Sequence, residues 1–182
     1  KQGYAIAEAL AGLGADVTLV SGPTALSAPA GVRRVDVESA RDMLDAVQAA
    51  LPADIAIFAA AVADWRVANA AEEKIKKGGK GTPKLELVEN PDILRTIAGL
   101  DADRPKLVIG FAAETQNVVT YAQDKLKRKA CDLIVANDVG EGSAVMGGEK
   151  NRVHIVAPDR VEDWPELSKD EVAERLIALA AA

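Results

Sequence analysis

Between residues 74 and 84 the chain places Lys74, Lys76, Lys77, Lys80 and Lys84 with no acid among them, and between 125 and 129 it places Lys125, Lys127, Arg128 and Lys129. The chain as a whole is acidic, with 22 Lys plus Arg against 28 Asp plus Glu and a formal net charge of -6. Two basic clusters in such a background suit a small polyanionic ligand better than a long polymer, and the balance argues against a general nucleic-acid or anionic-membrane binder. A charge run is also what a solvated face shows. Gly78, Gly79 and Gly81 around the first run favour a flap that folds over a phosphate and excludes water. Lys125 and Lys129 are four apart and share one helix face, so both can reach one ligand. His154 is the only histidine and Cys131 the only cysteine. Multi-histidine metal sites and an intrachain disulfide are thereby excluded, and the expected setting is reducing and cytoplasmic. The chemistry left to the chain is that of carboxylates, lysines and backbone.

Those groups need elements to hold them. With 182 residues, 49% hydrophobic and 27% charged, the composition is that of one soluble globular domain able to bury roughly two thirds of its unfolded surface. No apolar run reaches the roughly 20 residues of a spanning helix, so no membrane role is expected. Apolar spacing predicts a helix over 2–13, strands over 16–21 and 32–37, a helix over 39–51 capped by Ser39, and a buried strand over 54–60. Regularity breaks over 61–90, where 70–83 reads as a mobile flap and 84–88 as a half-exposed strand. Asn90 and Pro91 predict a helix start, the first as cap and the second in the first turn. A buried strand over 106–112, a long helix over 116–130 and a strand over 132–136 follow. A Gly-rich loop over 140–148, a strand over 152–157 and a helix over 169–181 complete the chain. Strands alternating with helices predict an α/β fold, a Rossmann-like, mostly parallel sheet flanked by helices. The helix at residue 2 has no strand before it, so the expectation is that the first strand of its βαβ unit lies outside this sequence. If Lys1-Gln2-Gly3 ends a glycine-containing loop, the free N–H groups at the helix head make an anion site.

Ligands bind open α/β sheets beyond the carboxyl ends of parallel strands, and three polar features fall there. Asp64 follows the strand over 54–60, Glu114-Thr115 the strand over 106–112, and Asn137-Asp138 the strand over 132–136. The small residues Ala59, Ala60 and Ala61 let a ligand approach backbone. Taken singly, Asp64 reads equally as a turn cap and Asn137-Asp138 as a turn pair. Three polar tips on neighbouring strands favour a crevice. Phe111, in a chain with 3% aromatics, suits stacking on a base and packing in the core alike.

Lys1-Gln2-Gly3, Ala60-Ala61-Val62-Ala63-Asp64-Trp65-Arg66, Glu73-Lys74-Ile75-Lys76-Lys77, Asn90-Pro91-Asp92-Ile93-Leu94, Gly110-Phe111-Ala112-Ala113-Glu114-Thr115 and Ala136-Asn137-Asp138 occur in that order. Together they resemble the ligase domain of the bacterial bifunctional coenzyme A biosynthesis protein, phosphopantothenate-cysteine ligase, also called phosphopantothenoylcysteine synthetase. The resemblance implies a CTP-dependent reaction that joins 4'-phosphopantothenate to cysteine through an acyl-cytidylate, releasing pyrophosphate and then CMP, with magnesium as the metal. It implies contacts to CTP from Ala60, Asp64, Lys74, the segment Pro91, Asp92, Ile93 and Leu94, Phe111, Lys125 and Lys129. Gly3, Phe58, Ala59, Asn137 and Asp138 would line the same crevice, and Lys74 and Asp64 would be the catalytic pair. Family members carry an asparagine in a loop before the first helix that is associated with the acyl intermediate, and this sequence begins just after that loop. A homodimer is implied through an extra β segment, for which 84–88 and 152–156 are the expected strands. So is a fused FMN-dependent decarboxylase domain, to which FMN belongs.

Two other classes compete. A nicotinamide-dependent oxidoreductase would fit the helix-strand alternation, but the strand over 16–21 ends in Ser21-Gly22-Pro23 with no acid for a ribose hydroxyl. A non-enzymatic dimerisation module would leave the lysine run without a task. His154 alternates with Val153 and Ile155 and reads as a surface or interface residue.

Overall fold

Strand residues that are apolar without a break, as in Leu133-Ile134-Val135-Ala136, have to be covered on both faces, and helices on either side of the central sheet do so. The computed structural model describes residues 1–69, 84–139 and 150–181. Its elements run α1 (Gln2–Gly12), β1 (Val17–Ser21), β2 (Val32–Asp36), α2 (Ala40–Ala49), β3 (Ile55–Phe58), β4 (Trp65–Val67), β5 (Leu87–Glu89) and α3 (Ile93–Ala98). There follow β6 (Leu107–Glu114), α4 (Val118–Lys129), β7 (Leu133–Asp138), β8 (Lys150–Asn151), β9 (Val153–Val156), β10 (Val161–Asp163), β11 (Leu167–Ser168) and α5 (Lys169–Ala181). Five strands form the central sheet in the order β10-β9-β7-β6-β3. Within it β3, β6 and β7 are parallel, and β9 and β10 add on antiparallel. The pairs β1–β2, β4–β5 and β8–β11 stand as separate ribbons.

Alternation along the strands divides the core. Ile109, Val135, Val153 and Ile155 pack with Ile6 of α1 and with Val172, Ala173 and Leu176 of α5. Val108, Ala112, Ile134, Ala136 and Val156 pack with Leu94 and Ala98 of α3 and with Ala122 and Leu126 of α4. Ser39 caps α2 as its sequence predicts, its hydroxyl accepting from Asp42 N while the Asp42 carboxylate accepts from Ser39 N. Ser168 and Glu171 repeat the device at the head of α5. At the amino ends of the parallel strands, Arg104 grips both Asp132 carboxylate oxygens at 2.9 and 3.0 Å, and Asp132 also accepts from Val108 N.

Several expectations need correction. The mostly parallel sheet holds, with a mixed side where β9 returns antiparallel beside β7 and β10 pairs antiparallel with β9. The segment over 152–156 is no dimerisation strand. Both edges of β9 are paired, and Val153, Ile155 and Val156 are fully buried, so it has no free edge for a strand of a second chain. Of the two expected segments only 84–88 keeps the right surface, since Trp65, Leu85 and Leu87 of the β4–β5 region are more than half exposed. Asn90 does not cap the third helix. That task falls to Asp92, which accepts from Arg95 N at 3.1 Å, while the Asn90 amide donates to Ala63 O.

Gly110 in β6 holds a packing constraint. A Cβ there would lie 2.6 Å from Leu94 Cδ2 and 2.8 Å from Ile134 Cδ1, so the bare backbone lets α3 close onto the sheet. Gly110→Val is expected to cost about 1–3 kcal/mol by overpacking, read as a lower urea midpoint. An unchanged midpoint would show that α3 yields freely.

Candidate active site

The parallel strands bring their carboxyl ends to one edge. Phe58 lies opposite Gly110, Ala113 opposite Asn137, and Glu114 opposite Asp138. The polar tips foreseen on three strands are therefore neighbours in the sheet for β6 and β7, with β3 alongside. Gly3 at the head of α1 reaches the same place, since a Cβ on it would lie 3.6 Å from Ala59 Cβ. The cap position of α1 is Lys1, whose side chain makes no capping bond.

Beyond β3 the loop carrying Ala60 and Asp64 is tied to the segment that starts α3. Asp64 O accepts from Asn90 N at 2.8 Å, and Ala63 O accepts from Asn90 Nδ2 at 2.9 Å. Arg66 of β4 donates to Glu89 O. Asp64 keeps an exposed side chain. Ile93 and Leu94 are buried in the core, so what they can offer a ligand is backbone. Pro91 is half-buried.

α4 packs on one face of the sheet over β6 and β7, and two of its lysines bond to this region. Lys129 Nζ pairs with the Asp92 carboxylate, which joins α4 to the head of α3. Burial alone would raise the Asp92 carboxyl, but the hydrogen bond from Lys129 and the one from the Arg95 amide outweigh it and hold the group below the usual range. Lys125 Nζ donates to Phe111 O at 2.8 Å. Burial pushes its ammonium below the ordinary lysine value, and Lys129 and Arg128 push the same way, with only Glu114 and Cys131 opposing. An ammonium desolvated among like charges is a place where an anion is stabilised. Beside it opens a cavity of about 340 Å³ lined by Glu114, Tyr121, Asp124, Lys125 and Arg128.

Phe111 lies within β6 opposite Val135, not at its tip, and packs partly buried against the α1–α5 side of the core. What it contributes to the site is the carbonyl that holds Lys125. Asn137 at the end of β7 is half-exposed, and its Oδ1 accepts from Asn151 Nδ2 at 3.1 Å. Lys74, with the rest of the lysine run over 70–83, and the Gly-rich loop over 140–148 lie outside the described residues.

Three participants escaped the sequence reading. Arg66 and Asn90 lock the two loops together through backbone carbonyls, and Asn151 is a buried polar residue on a two-residue strand. Asn90 had a signal, its place before Pro91. Asn151 had none, because only tertiary packing sets it against Asn137. A second cavity of about 360 Å³, lined by Pro23, Thr24, Arg34, Asp36, Val37 and Glu38, lies at the tips of β1 and β2. Its cation is already spent, because Arg34 bonds Asp36 and Leu26 O. Burial lifts the Cys131 thiol to about 11, so it is no thiolate nucleophile. Among the described residues no group of three or more His, Cys, Asp or Glu could hold a metal, and no helix is long and apolar enough to cross a membrane.

Comparison with known proteins places this arrangement. The profile of the DNA/pantothenate metabolism flavoprotein C-terminal domain matches residues 1–182. The coenzyme A biosynthesis bifunctional protein CoaBC of Vibrio cholerae is 45% identical over 181 residues, 98% of this chain and 45% of that protein. The protein of the same name from Mycobacterium tuberculosis is 49% identical over 188 residues, 97% of this chain and 45% of that protein. A crystal structure of the C-terminal domain of CoaBC, 42% identical, matches with a TM-score of 0.77 over 98% of this chain and 80% of that one. The chain spans a little under half the length of the curated relatives it matches. With its whole length matched and its fold shared, the chain belongs to the DNA/pantothenate metabolism flavoprotein C-terminal domain family.

Proposed function

We propose that this domain is a CTP-dependent phosphopantothenate-cysteine ligase acting in coenzyme A biosynthesis. The carboxylate of 4'-phosphopantothenate attacks the α-phosphorus of CTP and pyrophosphate leaves. The cysteine amine then displaces CMP from the acyl-cytidylate and forms the amide. A carboxylate is already ionised at neutral pH and requires no histidine base. This agrees with a chain whose one histidine is engaged with Asp163. What the transfer needs is position and compensation of negative charge as it spreads over phosphate oxygens.

The observation that carries the reading is Lys125. Its ammonium is half-buried over β6, held by Phe111 O just past the last residue that β3 pairs, and crowded by Lys129 and Arg128. In this reading Lys125 and Lys129 hold phosphates from the helix side, with Lys129 turning from Asp92 toward the nucleotide. Ala59, Ala60 and Asp64 approach from the β3 loop, and Lys74 supplies charge where pyrophosphate departs. Magnesium would neutralise charge on the phosphates. Such an ion is held by one or two carboxylates together with phosphate oxygens, and the adjacent tips Glu114 and Asp138 suit that share. We place a homodimer contact at the β4–β5 ribbon, where Trp65, Leu85 and Leu87 lie exposed. The relatedness to coenzyme A biosynthesis bifunctional proteins supports this reading.

The test is pyrophosphate release on mixing the protein with CTP, magnesium, 4'-phosphopantothenate and cysteine. Release that requires CTP and the pantothenate substrate together is expected. Tight binding of a reduced nicotinamide with no release would turn the reading toward the oxidoreductase.

A further inference from the structure

Asn151 is 1% exposed, yet among the described residues its Oδ1 has no hydrogen-bond partner. A buried acceptor left unpaired is costly and needs a cause. The cause lies in the amides around it. Lys169 O is a backbone carbonyl and can only accept, so Gln2 must turn Nε2 toward it, at 2.9 Å. Gln2 Oε1 then faces Asn151 and demands a donor, which Asn151 supplies from Nδ2 at 3.5 Å. The second hydrogen of the same Nδ2 goes to Asn137 Oδ1 at 3.1 Å. Turning the Asn151 amide over would set its oxygen against two acceptors. The orphaned Oδ1 is thus the cost of holding Nδ2 between Gln2 and Asn137.

The last amide in this chain stands at the substrate edge. Because Asn137 Oδ1 is committed to Asn151, the group it has left is Nδ2, which makes no hydrogen bond among the described residues, on a partly exposed side chain at the tip of β7. We infer that Asn151 is a positioning residue: through a relay running from Lys169 O by way of Gln2, it fixes Asn137 as a hydrogen-bond donor to an acceptor oxygen of the bound substrate. The inference rests on the ligase reading above, and it adds the acidic or carbonyl oxygen as the chemistry that Asn137 reads. It also gives the start of α5 a reason to lie beside the head of α1.

The experiment compares Asn137→Ala, Asn151→Asp and the double variant in the polypeptide that carries this domain, by pyrophosphate release and by the Asn137 side-chain amide signal in ¹⁵N-labelled protein. Asn151→Asp keeps the shape and puts acceptor against acceptor. Each single variant is expected to lose about tenfold to a hundredfold in kcat/KM, and the double variant to lose no more than Asn137→Ala alone. The Asn137 signal should shift in Asn151→Asp. Multiplied losses in the double variant, a silent Asn137→Ala or an unmoved Asn137 signal would each overturn the relay. A wild-type protein that releases no pyrophosphate while the Asn137 signal still shifts would sink the ligase reading and leave the amide geometry supported. Should Asn151→Asp fail to fold, Gln2→Leu removes the anchor at a half-exposed position and carries the same comparison with Asn137→Ala.

Discussion

Lys125→Met is expected to lower kcat/KM for CTP about a hundredfold, the scale of removing one preorganised charge from a developing oxyanion, while the melting temperature stays within about 4 °C of wild type. Methionine keeps the apolar stem of the side chain and removes the ammonium. Phe111 O then gives up one hydrogen bond, which costs stability, and the desolvated charge disappears, which returns it. The sign follows from linkage. The Lys125 pKa is lowered in the folded protein, first by burial and then by Lys129. Between that lowered value and the ordinary lysine value the unfolded chain binds the proton more firmly. This residue's contribution to stability therefore rises with pH through that window, and at neutral pH the ammonium opposes folding. A bound triphosphate relieves that opposition, so CTP should raise the melting temperature of the wild type and raise that of Lys125→Met far less. Equal turnover and equal stabilisation by CTP in both proteins would remove Lys125 from the site.

Lys74→Gln is expected to cut kcat by about 10²–10³-fold and to leave CTP affinity within about threefold of wild type. The proposal assigns Lys74 to charge that appears only as pyrophosphate leaves and the acyl-cytidylate forms. An interaction made in the transition state alone lowers kcat and kcat/KM together and spares ground-state binding. Glutamine preserves length and hydrogen bonding and removes the charge. Single-turnover measurement of acyl-cytidylate formation separates the steps. Loss of CTP affinity with kcat unchanged would make Lys74 a binding residue, and no change in either would free the lysine run of any part in the reaction.

Local signals carried the parts of the fold that local physics decides. The helix over 169–181 is seen as α5, and Ser39 opens α2, because apolar period and capping are written in adjacent residues. The strands of the parallel core were legible for the same reason. Contacts made at distance were not. β4, β10 and β11 are two or three residues long and exist because a partner strand is there, so no alternation announces them. The antiparallel return of β9 depends on a pairing with β7 that spacing does not encode, and the burial of both its faces overturned its expected role as an interface. Trp164 is buried with Arg175 stacked over its ring, a contact between the tail and α5 that no local pattern announces. In the site, residue types at strand tips were legible because parallel strands must end at one edge. The Lys129–Asp92 pair, the Lys125–Phe111 bond and the Gln2–Asn151–Asn137 relay were not, since each depends on how separate elements pack, which residue spacing does not encode.

CTP titration by calorimetry, comparing a Lys125→Met, Lys129→Met double variant with Lys106→Met, tests most directly whether a triphosphate lies at the carboxyl edge of the sheet under α4. Lys106 is an exposed lysine of the same charge at the opposite, amino end of β6, paired with Asp54. The double variant should bind CTP at least about a hundredfold more weakly, and Lys106→Met should bind as the wild type does. Undiminished affinity in the double variant, or an equal loss in both proteins, would mean that the nucleotide is held elsewhere.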